Sequence, residues 1–385
     1  MNAEATSLKL VGFALAAFML PTLACAQDKG EIRIGGSFST TGPVSMIGDP
    51  EAKAAEMCVK QINQEGGVKG RKLNLIWYDD GGDVRKATAN VKRLLEDDKV
   101  NLIVGPTTTG ATMAVIPLVE QAQIPLVSVA GGTVITSPPK KWVFASSYTD
   151  RLVVEGLYKD IKRRGMTKVG LLSGSGGFDQ SCRASAKVLA PDAGLTIVAD
   201  ELHGDGDTDM TAQFAIIRKA DAQVVLYCGF GAPTSIVARN YKRLEVRQPL
   251  YMTTGAALKQ FIRGAEGAAQ GVRVVAPAVL VAEQLPDSHP QKQVSVQFTT
   301  DYVASYREEV SIFSSSGYDA CLIVREAAAL ADSSDPAKLR DAIESIKGLK
   351  GTQGVYTMSP TNHLGLDSSH LTVVEVNGDG WKLLH

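Results

Sequence analysis

The chain has 385 residues, of which 44% are hydrophobic and 21% are charged, and its formal net charge at pH 7 is −1. This length exceeds that of one ordinary domain, and this composition is typical of a globular protein rather than a disordered one. A net charge so close to zero argues against nucleic acid or an anionic membrane as a partner attracted by bulk electrostatics. Any binding function is therefore expected to reside in a defined site.

The first 26 residues have the features of an export signal. Lys9 precedes a short apolar run over residues 10–20, and an A-x-A motif ends at Ala26. The apolar run is far shorter than the ~20 residues that a membrane-spanning helix needs. We therefore expect residues 1–26 to be a signal peptide cleaved after Ala26 and the mature protein to be periplasmic. A buried N-terminal helix is the alternative interpretation.

The cysteines leave two questions open. A lipid anchor on Cys25 is an alternative to simple cleavage, but Thr22 stands where such signals usually carry an aliphatic residue. The mature chain keeps Cys58, Cys182, Cys228 and Cys321. An even number of cysteines in an oxidising compartment permits disulfides. Their wide spacing and apolar neighbours nevertheless favour free buried thiols, and there is no CxxC pattern to indicate a metal or redox site.

Short β-type runs alternate with amphipathic helical stretches in the first part of the mature chain. The predicted strands are residues 32–37, 73–78, 102–105 and 126–129, and the predicted helices are residues 52–64, 84–96 and 109–122. This alternation predicts a mainly parallel sheet with helices on both faces. Such sheets bind ligands beyond the carboxyl ends of their strands, where the strand order reverses.

The same alternation restarts after a proline-containing loop at residues 137–139. The predicted helices are residues 153–164, 181–190, 211–220, 233–244, 293–306 and 317–331, and the predicted strands are residues 168–172, 196–202, 224–227, 250–253, 354–358 and 371–376. Two such series predict an α/β fold of two Rossmann-like lobes with parallel-core sheets. A cleft between lobes is a common place for a ligand site.

Loops rich in glycine, serine and threonine follow predicted strands of the first series at residues 39–43, 105–110 and 130–133. In residues 105–110 (GPTTTG), the free backbone N–H groups of a helix start and the threonine hydroxyls suit an anion such as a carboxylate. Helix capping by Thr108 or Thr109 explains the same pattern. Residues 130–133 (AGGT) also read as a flexible turn when taken alone. Because the two loops follow neighbouring strands, together they favour a site.

Catalytic and cofactor motifs are not found in the sequence. Residues 170–174 (GLLSG) contain no GxSxG elbow, and the histidines have no HExxH spacing. Neither a Walker pattern nor GxGxxG is present. We therefore expect a protein that is not an enzyme and has no metal or cofactor.

Several longer stretches together resemble a known family. These are IRIGGSFSTTGPVSMIG at residues 32–48, INQEGGVKGRKLNLIWYDD at residues 62–80, VGPTTTGATMAVIPLVEQAQIPLVSVAGG at residues 104–132, and Tyr318-Asp319-Ala320. They resemble the branched-chain amino acid type, or leucine-binding-protein-like, solute-binding protein of ABC transporters. That family has the type I periplasmic binding fold.

The resemblance implies two lobes and a transport role. Lobe 1 is expected to hold residues 27–148 and 279–358, and lobe 2 residues 149–278 and 359–385. Three hinge crossings are expected near residues 147–149, 276–278 and 358–360. The resemblance implies a monomer that captures its ligand by hinge closure and delivers it to permease subunits in the inner membrane, with no nucleic acid partner. A periplasmic ligand sensor of the same fold, acting through a signalling partner, is the alternative.

The family's carboxylate-binding residues can be matched position by position. Thr109 matches the hydroxyl residue that binds the ligand carboxylate, and Thr108 lies beside it. Ala130, Gly131 and Gly132 match a second carboxylate-binding loop. The usual threonine of that loop is displaced to Thr133, which puts its hydroxyl contact in doubt.

The remaining matches concern the rest of the ligand. Ile47 and Phe313 match positions that pack on it. In amino-acid-binding relatives, a tyrosine and an acidic residue of the second lobe hold the ammonium group, but here Phe178 and Thr254 stand at those positions. Phe230 likewise stands where relatives often have tyrosine. An ammonium group buried without a carboxylate would cost on the order of several kcal/mol.

The ligand expected from these departures is a small carboxylate, with an aromatic or other organic acid favoured over a branched-chain amino acid. Phenylalanine rings would suit an uncharged tail, including an aromatic ring. Replacement of the lost acidic partner by another residue, such as Glu283, stays open.

Overall fold

The computed structural model describes residue 1, residues 30–204 and residues 206–384. Residues 2–26 of the predicted signal peptide, including Cys25, lie outside the described residues. Of the helices that the structure describes, none has the length and apolar character needed to cross a membrane.

The first half of the chain forms a parallel sheet covered by helices. Its strands are β1 (Glu31–Phe38), β2 (Lys72–Asp79), β3 (Leu102–Val104), β4 (Leu126–Ser128) and β5 (Val143–Ala145), and its helices are α1 (Ser45–Gln64), α2 (Val84–Glu96), α3 (Thr109–Ala122) and α4 (Thr133–Thr136). The strand order is β2-β1-β3-β4-β5, and each neighbouring pair is parallel. The order reverses between β1 and β3, so a crevice opens at the carboxyl ends of these strands.

A second sheet repeats this order. Its parallel strands are β6 (Lys168–Ser173), β7 (Thr196–Leu202), β8 (Val224–Cys228), β9 (Leu250–Met252) and β10 (Arg273–Pro277), and β13 (Leu371–Asn377) and β14 (Gly380–Leu384) extend it. The full order is β14-β13-β10-β9-β8-β6-β7, with β13 antiparallel to β10 and β14 antiparallel to β13. The strand order therefore reverses between β6 and β8. The predicted α/β class with parallel-core sheets is confirmed.

The remaining elements cover the two sheets. They are α5 (Asp150–Arg163), α6 (Gly177–Leu189), α7 (Thr211–Lys219), α8 (Ala232–Arg243), α9 (Lys259–Gly264), α10 (Lys292–Tyr306), α11 (Ile312–Ala331), α12 (Pro336–Glu344), β11 (Leu349–Lys350) and β12 (Val355–Tyr356). Helix α11 packs along α1 on the first sheet. Short 3-10 turns lie at Thr254–Ala256, Ala278–Gln284 and Ser368–His370.

Three predicted helices begin at least four residues later than the observed ones. Helix α1 begins at Ser45 and continues through Pro50, because burial of Ile47 and Gly48 outweighs the hydrogen bond that the proline removes. Helix α6 begins at Gly177, so Phe178 belongs to its first turn. Helix α11 begins at Ile312, where the Ser311 side chain accepts hydrogen bonds from the backbone N–H groups of Phe313 and Ser314.

The prediction of free thiols is wrong. Disulfides join Cys58 of α1 to Cys321 of α11, and Cys182 of α6 to Cys228 at the end of β8. The Cα–Cα distances are 6.2 and 5.7 Å, within the usual range for a disulfide. Wide spacing along the chain was a poor guide because each disulfide links elements that pack directly against each other.

A buried carboxylate ties α5 to the second sheet. Asp160 accepts hydrogen bonds from the Arg163 guanidinium at 2.5 Å, the Arg164 guanidinium at 2.8 Å and the Tyr251 hydroxyl at 2.7 Å. Burial raises the pKa of Asp160, but these hydrogen bonds outweigh that effect and hold it below its ordinary value. The ionised carboxylate is thus part of the folded structure.

Candidate functional site

The carboxyl ends of strands from both sheets meet at one pocket. Residues after β3, β4 and β5 line it from the first sheet, together with residues from the first turns of α1 and α11. Residues after β6, β8 and β9 line it from the second sheet. The pocket therefore lies at both points of strand-order reversal, where open α/β sheets bind their ligands.

Nine of the ten predicted site residues lie together in this pocket. They are Ile47, Thr108, Thr109, Ala130, Gly131, Phe178, Phe230, Thr254 and Phe313. Gly132 is the exception and does not line the pocket. A β-carbon on Gly132 would fall 2.3 Å from Cγ2 of Thr109, so the glycine instead lets its loop lie against that threonine.

The two threonines at the start of α3 have different roles. The Thr108 hydroxyl accepts a hydrogen bond from the backbone N–H of Ala111 at 3.2 Å and caps the helix. Thr109 is 4% exposed, and its hydroxyl has no hydrogen-bond partner among the residues that the structure describes. Capping therefore explains Thr108, whereas anion binding is the interpretation that suits the adjacent Thr109. The helix start and the spare hydroxyl suit a negatively charged oxygen.

The loop after β4 leaves no room for a side chain at Gly131. A β-carbon on Gly131 would lie 2.8 Å from the Tyr148 backbone oxygen and 3.4 Å from the Phe178 ring. The Thr133 hydroxyl donates a hydrogen bond to Asp150 at 2.8 Å, and its backbone N–H donates to the same carboxylate at 2.9 Å. Thr133 is therefore used to hold the loop on α5, and the loop offers the pocket mainly backbone.

The opposite wall of the pocket is apolar and aromatic. The Phe178 and Phe230 rings meet edge to face, with centroids 5.7 Å apart and planes at 88°. Thr254 is 7% exposed and also lines the pocket. Ile47 and Phe313, from the first-sheet side, add further apolar surface to the pocket. Such a surface gains free energy by covering an apolar group, and aromatic rings favour edge-to-face or offset contacts with another ring.

Glu51 is the most important pocket residue that the sequence analysis missed. It lies on α1, one turn after Ile47, and is fully buried. The predicted helix began only after this residue, so the i, i+4 relation that places Glu51 on the same face as Ile47 was hidden. Thr107, also missed, donates a hydrogen bond from its hydroxyl to Oε2 of Glu51 at 2.6 Å.

The electrostatics of the pocket centre on this glutamate. Burial raises the pKa of Glu51 well above its ordinary value; the Thr107 hydrogen bond lowers it in part, and the nearby Asp80 charge raises it further. Among the described residues that line the pocket there is no lysine, arginine or histidine. Glu283, the suggested replacement for the family's acidic residue, is exposed and does not line the pocket.

The fold agrees with comparisons to known proteins. A family profile described as periplasmic binding protein matches residues 31–380. The chain belongs to the periplasmic binding protein family. It is 24% identical, over 89% of its length and 87% of the relative's, to a leucine-, isoleucine-, valine-, threonine- and alanine-binding protein of Pseudomonas aeruginosa. It is 23% identical, over 93% and 95% of the two chains, to a Leu/Ile/Val-binding protein of Rhizobium johnstonii.

Solved structures confirm the type I periplasmic binding fold. An extracellular ligand-binding receptor from Rhodopseudomonas palustris is 26% identical, with a TM-score of 0.86 over 93% of this chain and all of that one. A branched-chain amino acid transporter substrate-binding protein from Streptococcus pneumoniae, solved with isoleucine, shares the fold at a TM-score of 0.79, with coverage of 92% and 99% and 21% identity. The chain is thus a solute-binding protein of the branched-chain amino acid transporter type, and the predicted resemblance is confirmed.

Proposed function

We propose that this binding protein is the periplasmic component of an ABC importer that binds a small organic acid and delivers it to the permease. An aromatic or other organic acid is favoured over a branched-chain amino acid. The observation that carries the proposal is the contrast between the pocket's two sides. The buried hydroxyl of Thr109 at a helix start faces a wall built from Phe178, Phe230 and Thr254.

The first-sheet side supports a carboxylate as the ligand's charged end. Thr109 supplies a hydroxyl that has no hydrogen-bond partner in the described part of the chain, and the start of α3 supplies a positive dipole end. The glycine loop after β4 supports close approach of backbone N–H groups. Hydrogen bonds to a charged oxygen contribute more than neutral ones, so these groups together compensate for the loss of water around a carboxylate.

The second-sheet side supports an uncharged remainder of the ligand. The relatives are described as binding leucine, isoleucine and valine, whose ammonium group needs an anionic partner when buried. At the positions where such relatives hold the ammonium, this chain has Phe178 and Thr254. Two phenylalanine rings at 5.7 Å leave an apolar surface that suits a ring or alkyl tail.

The proposal includes export of the chain and its division into two lobes. Residues 1–26 act as a signal peptide, and the mature chain works in the periplasm. Lobe 1 holds residues 27–148 and 279–358, and lobe 2 holds residues 149–278 and 359–385. The first sheet, residues 31–145, and the second sheet, residues 168–277 with 371–384, support this division.

Calorimetry of the mature chain with benzoate and with leucine tests the proposal. We expect benzoate to bind and leucine to bind at least tenfold more weakly. The double variant Phe178→Tyr with Thr254→Glu, which restores the family's ammonium-binding groups, is expected to shift the preference toward leucine. Tight leucine binding by the unmodified protein without any response to benzoate would refute the proposal.

The transport role has its own test. Deletion of the gene is expected to abolish uptake of the acid that the purified protein binds, while uptake of leucine continues. A strain that keeps full uptake but loses its transcriptional response to the acid would indicate a sensor instead.

A further inference from the structure

We propose that Glu51 binds the ligand as a neutral carboxyl group and donates a hydrogen bond from Oε1 to an oxygen of the organic acid. This inference rests on the proposed function and adds a property of the ligand. The ligand presents an oxygen acceptor, and not an ammonium group, to helix α1. Glu51 thereby contributes to the choice between an organic acid and an amino acid.

The first step is to identify which oxygen of Glu51 is available. The backbone N–H of Ser39 donates to Oγ1 of Thr107 at 3.1 Å, and Oγ1 of Thr107 lies 2.6 Å from Oε2 of Glu51. Thr107 has one hydroxyl proton, and within the described part of the chain Glu51 is its only hydrogen-bond acceptor. Oε2 therefore accepts the Thr107 proton, and a proton carried by Glu51 resides on Oε1.

The second step concerns Oε1 itself. This oxygen is buried and makes no hydrogen bond to any residue in the described ranges 30–204 and 206–384. The side chain belongs to a fully buried residue that lines the pocket. A buried hydroxyl of a carboxylic acid without an acceptor is unfavourable, so a ligand that supplies an acceptor oxygen gains binding free energy there.

The third step concerns the charge around Glu51. Asp80, at the end of β2, is held by the hydroxyls of Ser37 and Ser39 and adds negative charge nearby. Tyr148 is the other titratable residue of the pocket lining. Neither stabilises an ionised Glu51.

The neighbouring charged side chains are engaged elsewhere. On α11, which packs against α1, the Asp319 carboxylate accepts hydrogen bonds from Thr352, Gln353 and Tyr356. On α1 itself, the Lys53 ammonium pairs with Asp49 and Glu308. Within the described ranges Glu51 forms no ion pair with a lysine, arginine or histidine, and burial raises its pKa well above the ordinary value. Burial therefore favours the neutral form, in agreement with the geometry.

Two substitutions at Glu51 test the proposal by calorimetry with benzoate. Glu51→Met keeps the length and removes the donor, and we expect it to lower affinity at least tenfold. Glu51→Gln supplies a neutral donor of the same shape, and we expect it to restore most of the affinity lost in Glu51→Met. The exposed Glu283→Gln is the matched control and is expected to bind as the unmodified protein does.

The pH dependence gives a second readout that does not require Glu51→Met to fold. A neutral donor is lost when pH rises through the pKa of Glu51, so affinity for benzoate is expected to fall toward alkaline pH. Glu51→Gln is expected to remove this dependence. Equal losses in Glu51→Gln and Glu51→Met, or an unchanged pH profile in Glu51→Gln, would overturn the role of Glu51.

The outcomes separate this inference from the proposed function. Benzoate binding that survives Glu51→Met overturns the Glu51 proposal and leaves the organic-acid function standing. Leucine binding that Glu51→Gln abolishes, without benzoate binding by the unmodified protein, refutes both, because Glu51 is then the ionised partner of an ammonium group.

Discussion

Gly132 lies so close to Thr109 that a β-carbon on the glycine would fall 2.3 Å from Cγ2 and 2.8 Å from Oγ1 of the threonine. The glycine lies outside the pocket lining, yet it determines where a pocket hydroxyl can be. The loop after β4 and the start of α3 are thus packed as one unit. The close approach, rather than an unusual backbone angle, requires a glycine, because the φ of Gly132 is −78°.

Replacement of Gly132 by alanine is expected to weaken benzoate binding by tenfold or more, which corresponds to about 1.4 kcal/mol. The added methyl group must displace Thr109 or its loop. Gly380→Ala is the control, since the nearest atom to a β-carbon there is 3.9 Å away. Calorimetry and thermal unfolding of both variants separate binding from stability. Normal affinity in Gly132→Ala would contradict this role.

Valine substitutions at Thr108 and Thr109 are expected to have different effects. Thr109→Val removes a hydroxyl without a described partner, so we expect benzoate affinity to fall about tenfold to a hundredfold while stability is kept. Thr108→Val removes a helix cap and is expected to cost about 1 kcal/mol of unfolding free energy. Urea unfolding and calorimetry check both. The same loss of affinity in both variants would argue against this division.

The two disulfides are expected to make the mature chain free of reactive thiols. A thiol reagent added under denaturing conditions without reductant should label none of the four cysteines. Cys58→Ala with Cys321→Ala removes the link between α1 and α11, which spans 263 residues. We expect a loss of about 2–5 kcal/mol of unfolding free energy. Labelling of all four cysteines in the periplasmic protein would contradict the pairing.

The Asp160 network is expected to make stability depend on acid pH. The pKa of Asp160 is lower in the folded chain than in the unfolded one, so its contribution is present above the unfolded pKa of about 3.9 and is lost as pH falls through the folded value. Asp160→Asn should cost roughly 3 kcal/mol at pH 7, and the difference should shrink below pH 4.

Urea unfolding of Asp160→Asn across pH 2 to 8 measures this effect. The exposed Asp221, which pairs with Lys168, supplies the control variant Asp221→Asn, for which no measurable change is expected. A difference between Asp160→Asn and the unmodified protein that is constant with pH would show that charge is not the cause.

The regular alternation of the sequence predicted most of the fold, because buried parallel strands and amphipathic helices leave clear patterns. The three-residue strand β5 and the six-residue helix α9 were missed, since so short a segment carries little periodicity. The longer elements β10, α12 and β14 were missed as well. The start of α11 was also missed, although Ser311 is a residue type that caps helices. Pro50 misled the prediction of α1 because tertiary packing overrode its usual effect.

The family pattern predicted residues such as Thr109 and Phe178, which the fold brings into one pocket. Residues that only the folded chain brings together were not predicted. Glu51 and Thr107 are 56 residues apart, and their hydrogen bond exists only because α1 and the loop after β3 converge. The cysteine pairs and the support of Thr109 by Gly132 are likewise properties of packing that spacing along the chain does not encode.

The repeated strand order gives the two halves the same scaffold but different hydrogen-bonding groups at matching helix starts. The helix after β3 in the first half corresponds to the helix after β8 in the second. The first begins at Thr109 with free backbone N–H groups, whereas α8 carries Pro233 in its first turn, and proline has no N–H to offer. For the carboxylate proposed above, the first half therefore provides the binding groups, and the second half forms the other side of the pocket. The carboxylate end of the proposed ligand is therefore expected to bind at the start of α3.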